Sequence, residues 1–163
     1  MTAAEYNHCV DNYADNIYRF VLKNIRNADA ARDIVQETFA RVWVRKENIS
    51  FEKARSYLFT TAHHTIIDVI RKEKYNDSVE KIDMQYNAAP VKNMDLQEIL
   101  DEALEQLPDI QRTVILLRDY EGYAYDEIGE ITGLKESQAK VYIFRARKKL
   151  KEILVSVEAV LEQ

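Results

Sequence analysis

An all-α protein is predicted, built as two small helical domains joined by a flexible linker, the C-terminal one a helix-turn-helix. Three observations carry that prediction. The 163 residues include three glycines and two prolines against an abundance of Leu, Ile, Ala, Glu and Lys, a composition of helix formers with few breakers. Apolar residues recur at the helical period through both halves of the chain and lose it between residues 75 and 95. All three glycines, Gly122, Gly129 and Gly133, fall close together, so the chain is punctuated at one place.

Residues 5–26 read as the first helix, with Val10, Tyr13, Ile17, Phe20, Val21 and Ile25 as its apolar stripe. Asn27 is placed to cap a second helix over 28–46. There Ile34, Val35, Phe39, Val42 and Trp43 are apolar, while Asp33, Gln36, Glu37 and Arg41 form a compact polar face at i, i+3, i+4 and i+8. Ser50 is the expected N-cap of a third helix over 51–74. Its inner side is expected to carry Tyr57, Leu58, Thr61, Ala62, Thr65 and Val69. Its outer side is expected to carry Lys53, Arg55, His63, His64, Asp68, Arg71, Lys72 and Lys74. A basic helix with interleaved aromatics is a candidate nucleic-acid surface.

Residues 75–95 hold turn formers and Pro90 and are too long for an ordinary connection, so they read as an interdomain linker between domains at 1–74 and 96–163. The second half restarts at Leu96 with a short amphipathic helix that Pro108 stops. Another helix follows from about Asp109 to Tyr120 and ends at Gly122. Tyr125–Thr132 and 136–150 then make two helices joined by a turn in which Gly133 serves as a left-handed cap. This is a helix-turn-helix. In its second helix Ala139, Ile143, Ala146 and Leu150 form the buried stripe. Ser137, Gln138, Lys140, Val141, Phe144, Arg145 and Lys148 lie on the open side, with groups suited to base edges, a thymine methyl and phosphates.

The net charge of −5 hides a strong partition. Residues 1–50 are neutral and 51–74 carry +2; residues 75–134 carry −10, 135–151 carry +6 and 152–163 carry −3. The basic stretch suits DNA, and the acidic one suits a basic protein surface. There is no run of 18 apolar residues, so no membrane span is expected. The polar N-terminus is unlike a signal peptide, and the lone Cys9 has no disulfide partner within the chain. A cytoplasmic protein is expected. No metal site is expected, because His63 with His64 and His8 with Cys9 are adjacent pairs that diverge on a helix, and no CxxC or HxxxH spacing occurs. No cofactor loop and no catalytic constellation are present, so the chain does not read as an enzyme. From the residues alone a DNA-binding protein, including an autonomous dimeric regulator, and a protein-binding helical module stay open.

The order of the segments resembles the extracytoplasmic-function (ECF) RNA polymerase sigma factors, over about residues 5–152. Asp33 to Trp43 is similar to the family's polymerase-binding helix, Ala54 to Lys72 to its promoter-melting helix, and Leu107 to Leu150 to its upstream-element region. The resemblance implies a monomer that binds core RNA polymerase and promoter DNA, with a probable anti-sigma factor as a further partner. It implies polymerase contacts at Asp33, Gln36, Glu37 and Arg41. It implies downstream-element contacts at Tyr57, His63, His64, Asp68, Arg71 and Lys72. Upstream base contacts would come from Lys140, Val141, Phe144 and Arg145 beside Ser137 and Gln138, and phosphate contacts from Arg147 and Lys148. The chain departs from the family pattern at His64, where Asn is common, at Ala124 and Lys135, where capping Ser or Thr is common, and at Tyr142, where a base is common.

Overall fold

The computed structural model describes residues 1–77 and 95–162. The described residues are helical throughout, with no strand: α1 (Ala3–Ile25), α2 (Ala28–Arg45), α3 (Ala54–Asp77), α4 (Leu96–Glu105), α5 (Asp109–Ile115), α6 (Tyr125–Thr132) and α7 (Glu136–Leu161). Short 3₁₀ turns at Lys46–Asn48 and Phe51–Lys53 join α2 to α3. A π-helical turn, Leu116–Tyr120, extends α5. The linker expected over 75–95 lies for the most part, 78–94, outside the described residues.

The caps account for most of the helix boundaries. Thr2 accepts from the Glu5 amide while Glu5 accepts from the Thr2 amide, a reciprocal capping box that opens α1. Arg26 ends α1 in the left-handed region at φ 56°. Asn27 opens α2 by accepting from Ala30, as expected. Ser50 does not cap with its side chain; it stands extended before a 3₁₀ turn. Asp95 caps α4 through the Glu98 amide. The α4–α5 corner is pinned by Arg112, which is buried and donates to the Leu107 carbonyl and the Asp109 carboxylate.

α1, α2 and α3 pack together around Ile17, Phe20, Val21, Ile34, Val42 and Leu58. α4 to α7 pack around Leu104, Leu116, Leu117, Ile128, Ile131 and Ile143. The two groups are fused into one continuous core. Phe59 is the joint: its ring meets Phe20 at 5.3 Å and Tyr123 at 5.5 Å, both edge-on.

This fusion corrects the expected outer face of α3. Arg55 is half-buried and His63 is buried, because α3 packs on α1 and α2 with one side and on α6 with another. The face that stays open carries His64 and Asp68, and Tyr57 and Thr61, expected on the inner side, lie half-buried at its edge. α7 runs on past Leu150 to Leu161, as the apolar Ile153, Leu154 and Val157 lead one to expect.

Candidate nucleic-acid and polymerase interface

The helix-turn-helix geometry is set by two glycines with different duties. Gly133 closes α6 at φ 79°, where a side chain is strained. Gly129 lies inside α6, where an added Cβ would sit 2.7 Å from the Leu134 carbonyl oxygen. The turn therefore approaches α6 more closely than any side chain allows. The missing Ser or Thr caps are replaced from the third helical position. Glu127 accepts from the Ala124 amide at 2.9 Å, and Gln138 accepts from the Lys135 amide at 3.0 Å.

α7 buries Ala139, Ile143 and Ala146 and leaves Ser137, Gln138, Lys140, Val141, Phe144, Arg145, Arg147 and Lys148 exposed. Phe144 is 69% exposed and Val141 45%, so the open face offers two apolar contact groups among its bases. Lys140 sits 3.5 Å from Glu136 and over the Tyr125 ring at 5.5 Å. Arg145 lies 6.0 Å over Tyr142, so the aromatic that replaces a base flanks a guanidinium. Arg147 is held by a bidentate pair to Asp119, at 2.6 and 3.1 Å. That pair raises its pKa, chiefly through the hydrogen bond to Asp119, and makes Arg147 a brace between α7 and the end of α5 as well as a surface cation. Lys148 is its exposed neighbour.

In the first domain Asp33, Gln36, Glu37 and Arg41 lie exposed along α2. Trp43 is 43% exposed beside them, propped by Tyr6 at 4.9 Å and Lys46 at 4.0 Å. The sequence groups Trp43 only with the apolar residues of α2. Its half-exposure adds an aromatic anchor to the polar face, a combination typical of protein interfaces.

Around the side of α2, the chain forms an open depression of about 740 Å³. Arg41, Arg45, Tyr57, Thr61, His64 and Asp68 line it. Three predicted downstream residues, Tyr57, His64 and Asp68, are thus brought together, and two arginines from α2 join them. Arg45 reaches the Tyr57 hydroxyl at 3.5 Å, an interaction the linear sequence does not reveal. Arg71 and Lys72 are exposed further along α3. His63 is the exception among the predicted residues. It is 4% exposed and lines the crevice toward the second domain, and burial, reinforced by the neighbouring His64, pushes its pKa down to about 4.

A basic, partly apolar helix face on a helix-turn-helix, set beside a helical domain with an exposed polar-aromatic face, has the make-up of a DNA-binding transcription factor that also engages a protein partner. The family models agree: residues 9–75 match Sigma-70 region 2 and residues 97–150 match Sigma-70, region 4. The ECF sigma factor SigW of Bacillus subtilis is 30% identical over 161 residues, covering 89% of this chain and 86% of its own. SigM of the same organism is 28% identical over 146 residues, covering 86% and 90%. The sigma factor RpoE from Bartonella quintana, solved in complex with the anti-sigma factor NepR, superposes with a TM-score of 0.78 at 22% identity, covering 91% of this chain and 96% of that one. The chain belongs to the ECF RNA polymerase sigma factors and directs promoter-specific initiation of transcription. Among the described residues no helix is long and apolar enough to cross a membrane.

Proposed function

We propose that the two domains divide promoter recognition as the geometry suggests. α2 docks on core polymerase through Asp33, Gln36, Glu37 and Arg41, with Trp43 as a central anchor. The depression between α2 and α3 holds single-stranded DNA of the downstream element through Tyr57, His64 and Asp68, and Arg71 and Lys72 track its backbone. Holding an extruded base offsets the stacking lost when the duplex opens. α7 enters the major groove of the upstream element with Lys140, Val141, Phe144 and Arg145. Ser137 and Gln138 start that face, and Lys148 holds phosphate alongside Arg147.

The carrying observation is the α7 surface: eight exposed residues on one face, two of them apolar and four basic, over a buried small-residue stripe. The protein works in the cytoplasm and performs no bond chemistry. An anti-sigma factor completes the partner set; the relatives RpoE and CnrH were each solved bound to one or to a cytosolic domain of a partner.

In-vitro transcription with this chain, matched core polymerase and a supercoiled promoter library tests the assignment. Initiation at one promoter class, absent with core alone, is the expected result. Core binding without initiation at any promoter would remove the DNA roles given to α3 and α7. Recovery of polymerase alone from unstressed cells would remove the anti-sigma factor.

A further inference from the structure

α3 has a stripe that its own domain covers only in part, through Phe20 against Phe59. Arg55, Phe59, His63, Ile66, Ile70 and Lys74 recur at three- and four-residue steps, so they share one side of the helix. The second domain lies against that side. Tyr123 packs edge-on against Phe59, and His63, Ile66 and Ile70 face Ile110 and Thr113 across a crevice. Thr113 donates to the buried Asn24 of α1 at 3.3 Å.

The ion pairs around this contact have one polarity. Every base belongs to the first domain and every acid to the second: Arg19 and Arg55 with Glu121, Lys23 with Asp101, Arg26 with Glu102 and Glu105, and Lys74 with Asp109. Lys74 with Asp109 is an exposed and weak pair, while Lys23 with Asp101 is part-buried. Glu121 is different. Its side chain is 2% exposed, and its carboxylate receives Arg19 at 2.7 Å and Arg55 at 3.4 Å. Arg55 also donates to the Glu121 carbonyl at 3.1 Å and lies 4.5 Å over the Tyr123 ring. Both cation partners of this buried acid lie on the other domain, and a buried carboxylate stripped of them is strongly unfavourable.

We propose that this contact is an intramolecular clasp. The free chain holds itself closed, with the second domain docked on α1 and α3 through Glu121, and polymerase binding must draw the clasp apart. Closure leaves the α2 face and the α2–α3 depression open but locks the upstream-reading helix at one position relative to them, so a polymerase that needs another spacing must open the clasp. The acidic early part of the second domain thereby neutralises bases of the first domain until a partner competes for them. The closed state itself stands on the contacts above; its opposition to polymerase rests on the proposed function.

Small-angle scattering of the full chain tests the clasp. The wild type should show a radius of gyration of about 15 Å, the value for a compact chain of this length. Arg19→Glu with Arg55→Glu should raise it by roughly half, to that of two tethered domains, with unchanged helical circular dichroism. Adding Glu121→Arg should restore compaction. The milder pair Arg19→Gln and Arg55→Gln should shift it in the same direction without new negative charge. An expanded wild type, or charge-removed variants as compact as the wild type, would overturn the clasp. An expanded double variant should bind core polymerase about threefold or more tightly, because the competent population rises; unchanged affinity would overturn the opposition to polymerase. A chain that never binds polymerase, yet expands and recloses with these charges, would refute the proposed function and leave the clasp standing.

Discussion

Gly129 and Gly133 look alike in the sequence and carry different burdens in the fold. At Gly129 the neighbour is a backbone carbonyl at 2.7 Å, which a new methyl displaces only by moving the turn. Gly129→Ala should lower the stability of the second domain by about 1–3 kcal/mol, read by urea unfolding. At Gly133 space is open and the penalty is the positive φ alone, so Gly133→Ala should cost about 1 kcal/mol. His63 makes a prediction in pH. Its pKa is about 4 in the folded chain against an ordinary 6.5, so the neutral form is favoured by folding. Its effect on stability is absent above the unfolded pKa and grows as pH falls from 6.5 toward 4. Thermal and urea unfolding should show about 2 kcal/mol lost between pH 7 and pH 5, a loss that His63→Met should largely abolish.

At the scale of the element, α6 and α7 follow directly from local signals. Tyr125–Thr132, the left-handed Gly133 and buried Ala139, Ile143 and Ala146 are as the spacing predicts, while Leu150, expected in the same stripe, is only half-buried. The caps were not legible, because Glu127 and Gln138 reach backward to do what a Ser or Thr would do forward. With α7 as the upstream reader, Phe144→Ala and Arg145→Ala should each weaken initiation by about 1–3 kcal/mol, roughly tenfold or more, at the cognate upstream element. Core affinity should stay the same, and transcription from promoters with substituted upstream elements would show which base each residue reads. Trp43 lies at the other end of legibility. It is counted with the apolar residues of α2, and only the fold shows it half-exposed between Tyr6 and Lys46.

Across the whole molecule the two domains share one core through Phe20, Phe59 and Tyr123, so they should unfold together. Calorimetry at low salt should give a single transition for the wild type. Arg19→Gln with Arg55→Gln should resolve it into two, one for each domain. A wild type that already melts in two steps would show that the shared core does not couple the domains.

The sequence by itself determined the helical class, the helix order, the two-part division and the basic face of α7, because each depends on local periodicity, capping and charge. It also placed Asp33, Gln36, Glu37 and Arg41 on one face, since helical spacing alone sets that. Only the tertiary structure decided that Arg55 and His63 turn inward, that Arg41 and Arg45 join Tyr57, His64 and Asp68 around one depression, and that Glu121 finds its cations 102 and 66 residues away. Periodicity tells which residues share a side of a helix; what covers that side depends on contacts far apart in the chain, where no local signal reaches.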